Sequence, residues 1–177
     1  MLYSDSMSLP ARLAYRVRQF RLAFFGSWSP VPDEVLSPHL SPDQIAVFRR
    51  MTPSEQAHSL AVLRRLKEQG HTNPDLLAAA LLHDAGKSLS PLSVFDRVLI
   101  VLGKRFAPRL TRRWGEGDPR GLRRPFAVAA HHAEWGADLA AAAGASSRTC
   151  DLIRRHQDFP PTEDALLAAL QQADDFE

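Results

Sequence analysis

The residues of this 177-residue chain best suited to chemistry are a doublet, His83-Asp84, in the segment Leu81-Leu82-His83-Asp84-Ala85-Gly86-Lys87. The run before it, Leu76 to Leu82, holds only Leu and Ala, so a helix there is apolar on every face and is expected to be buried. An ionised carboxylate at the end of such a run is costly unless a hydrogen-bonded cation or a metal compensates it. The adjacent imidazole favours the metal, because imidazole and carboxylate together suit divalent transition ions. A metal needs more ligands than two, and helical phase is the means of finding them.

His58 precedes Val62 and Leu66 by four and eight residues, which turns it toward a core. Taken alone, it reads as a core-edge imidazole bonded to a backbone carbonyl; similar inward polar groups on later helices make it a ligand candidate. His156 follows Leu152 and Ile153 on an apolar stripe. Asp174 lies four and eight residues after Leu170 and Leu166, whereas Asp175 falls beside Gln171, so periodicity selects Asp174 as the inward carboxylate. A helix C-terminus and an apolar neighbourhood both disfavour an anion there, and a nearby cation would resolve both conflicts. His131 and His132 lie about 100° apart around a helix axis. His132 leads to Gly136 and Leu139 and is chosen as the ligand, with His131 left as a neighbouring or substrate-facing group. His39 and His71, beside Pro38 and Gly70, read as solvent-exposed.

These donors must be positioned by helices, since alternating strand patterns are nearly absent. Ser41-Pro42, Thr52-Pro53, Asn73-Pro74 and Ser90-Pro91 each place a capping side chain before a proline suited to the first helical position. Thr52 and Glu55 have capping-box spacing, and Gly70 and Gly144 stand where helices should stop. The expected helices cover residues 10–25, 42–50, 53–69, 74–85, 91–107, 125–131, 133–143, 146–157 and 162–175, an all-α bundle. Residues 1–40 are read as an N-terminal helix with a Pro-rich connector, and 41–177 as the main domain. Residues 108–124, rich in Arg, Gly and Pro, are expected to form a surface loop. The first helix is amphipathic and basic, with Leu13, Val17, Phe20 and Phe24 in one stripe. Packing on its own domain is the ordinary reading of such a helix; a membrane surface or a partner is the other.

Composition bounds the rest. A hydrophobic content of 45% suffices for one core, and the formal charge of +2 is only mildly basic. The single cysteine, Cys150, excludes an intrachain disulfide and fits a reducing compartment. The start of the chain lacks the apolar core of a signal peptide, and the longest apolar run, Val98 to Leu102, is too short to span a bilayer. A cytoplasmic protein is expected. Between residues 97 and 124, Arg97, Lys104, Arg105, Arg109, Arg112, Arg113, Arg120, Arg123 and Arg124 outnumber Glu116 and Asp118. Such a cluster attracts phosphates, nucleic acid or an anionic membrane surface, and is equally a solvated face; the solvated face is the expectation.

The ordered series His58, His83-Asp84, His132, His156, Asp174 resembles the HD superfamily of metal-dependent phosphohydrolases. The resemblance spans approximately residues 53–175. It rests on Leu82-His83-Asp84-Ala85-Gly86-Lys87, His132-Ala133-Glu134-Trp135-Gly136-Ala137, Ile153-Arg154-Arg155-His156 and Ala173-Asp174. It implies a compact HD-domain bundle in which His58, His83, Asp84 and Asp174 hold one divalent ion. His132 and His156 would complete a second site, with Asp84 bridging. Mn, Fe, Zn or Mg are the metals in question, although the imidazole content argues against a pure Mg site. Asp84 and Lys87 are the catalytic candidates. Lys87, His131 and Arg155 are the candidates for substrate contact, Lys87 because such a lysine faces substrate phosphate in that family. The implied partner is a small phosphorylated molecule, a nucleotide in the first instance, as for the bacterial diadenosine tetraphosphate hydrolases that this chain resembles. A cyclic-dinucleotide phosphodiesterase fits less well, because its Asp-Gly-x-Gly-Tyr-Pro signature is replaced here by Asp158-Phe159-Pro160. The alternatives are an HD-fold di-iron oxygenase and a non-catalytic nucleotide-binding module.

Overall fold

The computed structural model describes residues 30–116, 121–158 and 163–175, so the expected helix over 10–25 lies outside the described residues. Among the described residues there are nine α-helices and no strand. They are α1 (Asp33–Leu36), α2 (Pro42–Phe48), α3 (Pro53–Glu68), α4 (Pro74–Leu82), α5 (Val94–Phe106), α6 (Pro108–Gly115), α7 (Arg124–Ala142), α8 (Ser147–Arg155) and α9 (Ala165–Asp175). A 3₁₀ turn, Ala85–Leu89, follows α4, and another, Gly121–Arg123, leads into α7. None of these helices is long and apolar enough to cross a membrane.

Local chemistry sets most of the boundaries. Ser41, Thr52 and Asn73 accept from the backbone N–H three residues on, ahead of a proline in the first turn, and the Ser41–Gln44 and Thr52–Glu55 boxes are reciprocal. Such caps contribute about 1 kcal/mol each. The left-handed residues Gly70 (φ +86°) and Gly144 (φ +75°) end α3 and α7, each followed by a backbone bond reaching five residues back, His71 to Leu66 and Ala145 to Ala140.

Helix α4 is the axis of the bundle. Every residue from Leu76 to Leu82 is buried, as expected of a helix apolar on all sides. Helices α2, α3, α8 and α9 pack around it, while α7 lies across α8 and the 3₁₀ turn. The core joins Phe48, Val62, Leu66, Leu152, Ile153, Leu167 and Leu170 to the α4 leucines.

Four expectations are corrected. Residues 31–40, read as part of a Pro-rich connector outside the main domain, carry the single turn α1 and bury Val31, Leu36 and Leu40; Arg49 holds them by donating to the Val31 carbonyl and to Asp33 Oδ1. The helix expected to begin at Pro91 begins at Val94, because Ser93 and Asp96 form the box that Ser90 does not. The region 108–124 is not simply a loop: Pro108 opens α6, whose buried side carries Thr111 and Gly115. Finally, the helices expected over 125–131 and 133–143 are one continuous α7, with His131 and His132 in its middle.

Candidate metal centre

Five helices and a 3₁₀ turn meet at one place. Helix α3 carries His58 one turn ahead of Val62. His83 caps the C-terminus of α4 and Asp84 leads into the 3₁₀ turn that bears Lys87. His132 lies at mid-length of α7, His156 caps α8, and Asp174 lies in the last turn of α9. All six proposed ligands therefore converge. His58, His83 and Asp84 offer donor atoms within 4.8 Å of one another, and so do Asp84, His132 and His156. Asp174 joins the first group, with Oδ1 2.8 Å from His58 Nε2 and 3.5 Å from His83 Nε2. Asp84 belongs to both groups: Oδ1 faces His132 Nε2 at 3.5 Å, and Oδ2 faces His83 Nε2 at 3.7 Å. Asp175 is exposed, in keeping with its helical phase.

The buried imidazoles share one anchoring device. His83 Nδ1 donates to the Ala80 carbonyl (3.0 Å), His132 Nδ1 to that of Val128 (3.0 Å) and His156 Nδ1 to that of Ile153 (2.7 Å). A carbonyl only accepts, so each Nδ1 carries a hydrogen, and the neutral rings of His132 and His156 direct the Nε2 lone pair toward Asp84. Orienting a ligand through its other nitrogen in this way is typical of metal-binding histidines. The Nε2 atoms of His132 and His156 are buried and have no hydrogen-bond partner among the described residues. An orphaned buried acceptor costs about 1–3 kcal/mol. Two of them aimed at a shared carboxylate fit a divalent ion, which takes lone pairs of that kind.

Electrostatics keep His132, His156 and both carboxylates in ligand form. Burial, with the Lys87 ammonium second, lowers the His132 pKa to about 3, and burial, aided by His83, lowers that of His156 to about 4. Both are therefore neutral at pH 7. Burial opposes the charge on Asp84, but Lys87 and the surrounding imidazoles outweigh it and hold the carboxyl well below its usual range. Asp174 is held down likewise, burial being overcome by hydrogen bonds from His58 and His83. Burial also works against a charged His83, but Asp84 and Asp174 prevail and raise its pKa. Lys87 Nζ lies 2.6 Å from Asp84 Oδ2, so this lysine belongs to the centre and not to bulk solvent.

The other candidates lie elsewhere. His131 stacks on Trp135, with ring centroids 5.8 Å apart, and takes no part in either donor group. The Arg155 guanidinium is engaged by Asp151, Asp158 and Asp164. His39 and His71 are half-buried and also stand outside both groups.

Two positioning features escaped the sequence reading. Gly86 and Gly136 meet back to back: a Cβ on Gly86 would lie 2.6 Å from Gly136 N, 2.9 Å from the His132 carbonyl carbon, and closer still to the His132 oxygen. The missing side chains let the 3₁₀ turn seat directly on α7, which sets Asp84 against His132. Arg65 on α3 donates to the Ala173 carbonyl (3.0 Å), satisfying the end of α9 beside Asp174. A glycine in the middle of an otherwise strong helical pattern, as at Gly136, was the available signal for the first; nothing in the spacing marks the second.

Among comparisons with curated proteins and with solved structures, nothing matched. The family model described as HD domain matches residues 56–177. That family consists mostly of metal-dependent phosphohydrolases that bind divalent ions, and the two donor groups found here offer the nitrogen and oxygen atoms such ions take. The match runs over well more than half of the chain and takes in all six of those donor residues: the chain belongs to the HD-domain family.

Proposed function

We propose that the protein is a phosphohydrolase that cleaves a nucleotide or another small phosphoester at this centre. The observation that carries the reading is Asp84, a buried carboxylate shared by two sets of imidazole donors, with an ammonium group against its second oxygen. Ions held by His58, His83, Asp84 and Asp174, and by Asp84, His132 and His156, would supply Lewis acidity and lower the pKa of a bound water toward ~7.

The chain's own residues would do the rest. His83, His132 and His156 are buried and form the floor of the site. Side chains of Lys87 (22% exposed), His58 (24%) and Asp174 (26%) form its open edge, so substrate enters on their side. Lys87 would meet an incoming phosphate with its ammonium while keeping contact with Asp84. A fixed cation at the point where negative charge builds up is the kind of preorganised stabilisation that phosphoryl transfer uses most.

The test begins with metal analysis of the purified chain, followed by a phosphate-release screen of nucleotides and small phosphoesters with added Mn. Metal bound in a ratio of one or two per chain, with turnover lost on chelation and restored by metal, supports the reading. Iron-loaded protein that turns over only with oxygen and releases no phosphate would replace hydrolysis with oxygenase chemistry.

A further inference from the structure

Among the described residues, surface hydrophobicity is concentrated in one region. Of the large apolar side chains exposed among the described residues, all but Val35 lie between Leu89 and Leu122. Five of them belong to α5: Phe95 (72% exposed), Val98, Val101 (66%), Leu102 and Phe106 (77%). With about 100° between successive residues, they and Arg105 fall within an arc of about 140°. The opposite side, with Asp96, Leu99, Ile100 and Gly103, is the half-buried one. Helix α5 is thus apolar on two faces and buries only one. Leu110 and Leu122 extend the patch beyond the helix. A contiguous apolar surface of this kind, on a chain with an adequate core, marks a place where something docks.

Charge narrows what that is. Arg105, Arg109, Arg112, Arg113 and Arg123 are all exposed around the patch. The acidic groups described there are Glu116 and Asp96, and Asp96 is already paired with Arg124 at 2.7 Å. A second copy of this face would bring like charges together. The N-terminal stretch, with Arg12, Arg16, Arg18 and Arg21 against the single acid Asp5, carries the same sign and is a poor cover for the same reason. Nucleic acid would be attracted to the arginines but has little use for exposed Val, Leu and Phe on a helical arc. An anionic lipid surface satisfies both, since acyl chains take the apolar stripe and headgroups take the guanidinium groups. We infer that α5 and α6 form a membrane-binding face that docks the protein on anionic lipid bilayers, through Phe95, Val101 and Phe106 inserted beside Arg105, Arg109 and Arg113. This inference stands apart from the proposed activity.

The experiment is co-flotation of the full chain with vesicles of phosphatidylcholine alone or mixed with phosphatidylglycerol, at low and high salt. Binding is expected to the mixed vesicles only and to fall as salt rises. Phe95→Ser with Phe106→Ser should reduce partitioning at least about tenfold, and Arg109→Gln with Arg113→Gln about 25-fold. All four side chains are exposed, so thermal melting of both variants should match the parent. The inference is overturned by equal binding to neutral and mixed vesicles, by binding that both variants retain, or by absence of vesicle binding. Sole affinity for RNA, or a dimer that Phe106→Ser dissociates without any vesicle binding, would overturn it in favour of those partners.

Discussion

Replacing Gly86 with alanine tests whether the contact between the 3₁₀ turn and α7 sets the centre. The added methyl lies 2.6 Å from Gly136 N and closer to the His132 oxygen, both backbone atoms that cannot rotate aside. Restoring ordinary contact with Gly136 N alone requires the turn to retreat from α7 by about 0.8 Å. Overpacking a well-packed contact costs about 1–3 kcal/mol, and a backbone-on-backbone clash belongs at the upper end. For a chain of this size, about 3 kcal/mol lowers Tm by roughly 6–12 °C. The retreat also separates Asp84, which precedes the turn, from His132, whose own carbonyl is the obstacle. Metal affinity should therefore fall by more than the stability loss alone explains. Urea unfolding and a metal titration of the variant, compared with Gly70→Ala, give the two readouts. Gly70→Ala costs stability through its positive φ but lies far along the chain from the donors. If Gly86→Ala keeps the parental metal stoichiometry and affinity, the back-to-back contact does not position the site and the reasoning fails.

Asp84→Ala should abolish metal binding and phosphate release while circular dichroism stays helical, whereas Asp175→Ala, at an exposed position, should change stability by less than about 0.5 kcal/mol and leave turnover near parental. Arg65→Ala removes the bond to the Ala173 carbonyl and should cost about 1–2 kcal/mol, with the ion on the His58–Asp174 side lost before the other; metal content by mass spectrometry and urea midpoints read both effects. Stability of the metal-stripped protein should fall as pH drops below 6.5. His132 and His156 remain neutral in the fold down to about 3 and about 4, while the unfolded chain takes up protons near 6.5. The unfolded state then binds more protons, so acid favours it, by up to about 1.4 kcal/mol per pH unit for each ring. His83, with its raised pKa, works in the opposite direction. His132→Asn should reduce the slope of urea midpoint against pH, and an unchanged slope would show that this ring does not titrate as argued.

The residues that converge on the centre were legible because each interrupts an apolar stripe. His58 stands in phase with Val62 and Leu66, both fully buried, and Asp174 could be chosen over Asp175 for the same reason. Buried α4 was legible from composition alone. Helix α6 was not, because its inner side is made of Thr111 and Gly115, small residues that leave no hydrophobic period to read beneath the arginines. The single α7 was divided in the sequence reading at a pair of histidines, though nothing there breaks a helix. The close approach of Gly86 to Gly136 joins the 3₁₀ turn to α7; a glycine inside the α7 pattern signals a close contact there, but the partner is set only by assembly. Arg155, a candidate for substrate contact, is engaged by Asp151 and Asp158 at helical spacing that the sequence carries, and by Asp164 from across the fold, which it does not.

Each buried imidazole is fastened to a carbonyl three or four residues earlier in its own chain segment, His83 to Ala80, His132 to Val128 and His156 to Ile153. Ring orientation is thus a property of a single helical turn, complete before the turns meet. What remains to be decided by assembly is only the spacing between rigid, already aimed nozzles. Changes at remote packing positions therefore widen or narrow the gap between the two donor groups, and with it the size of ion they fit, while every donor side chain stays as it is.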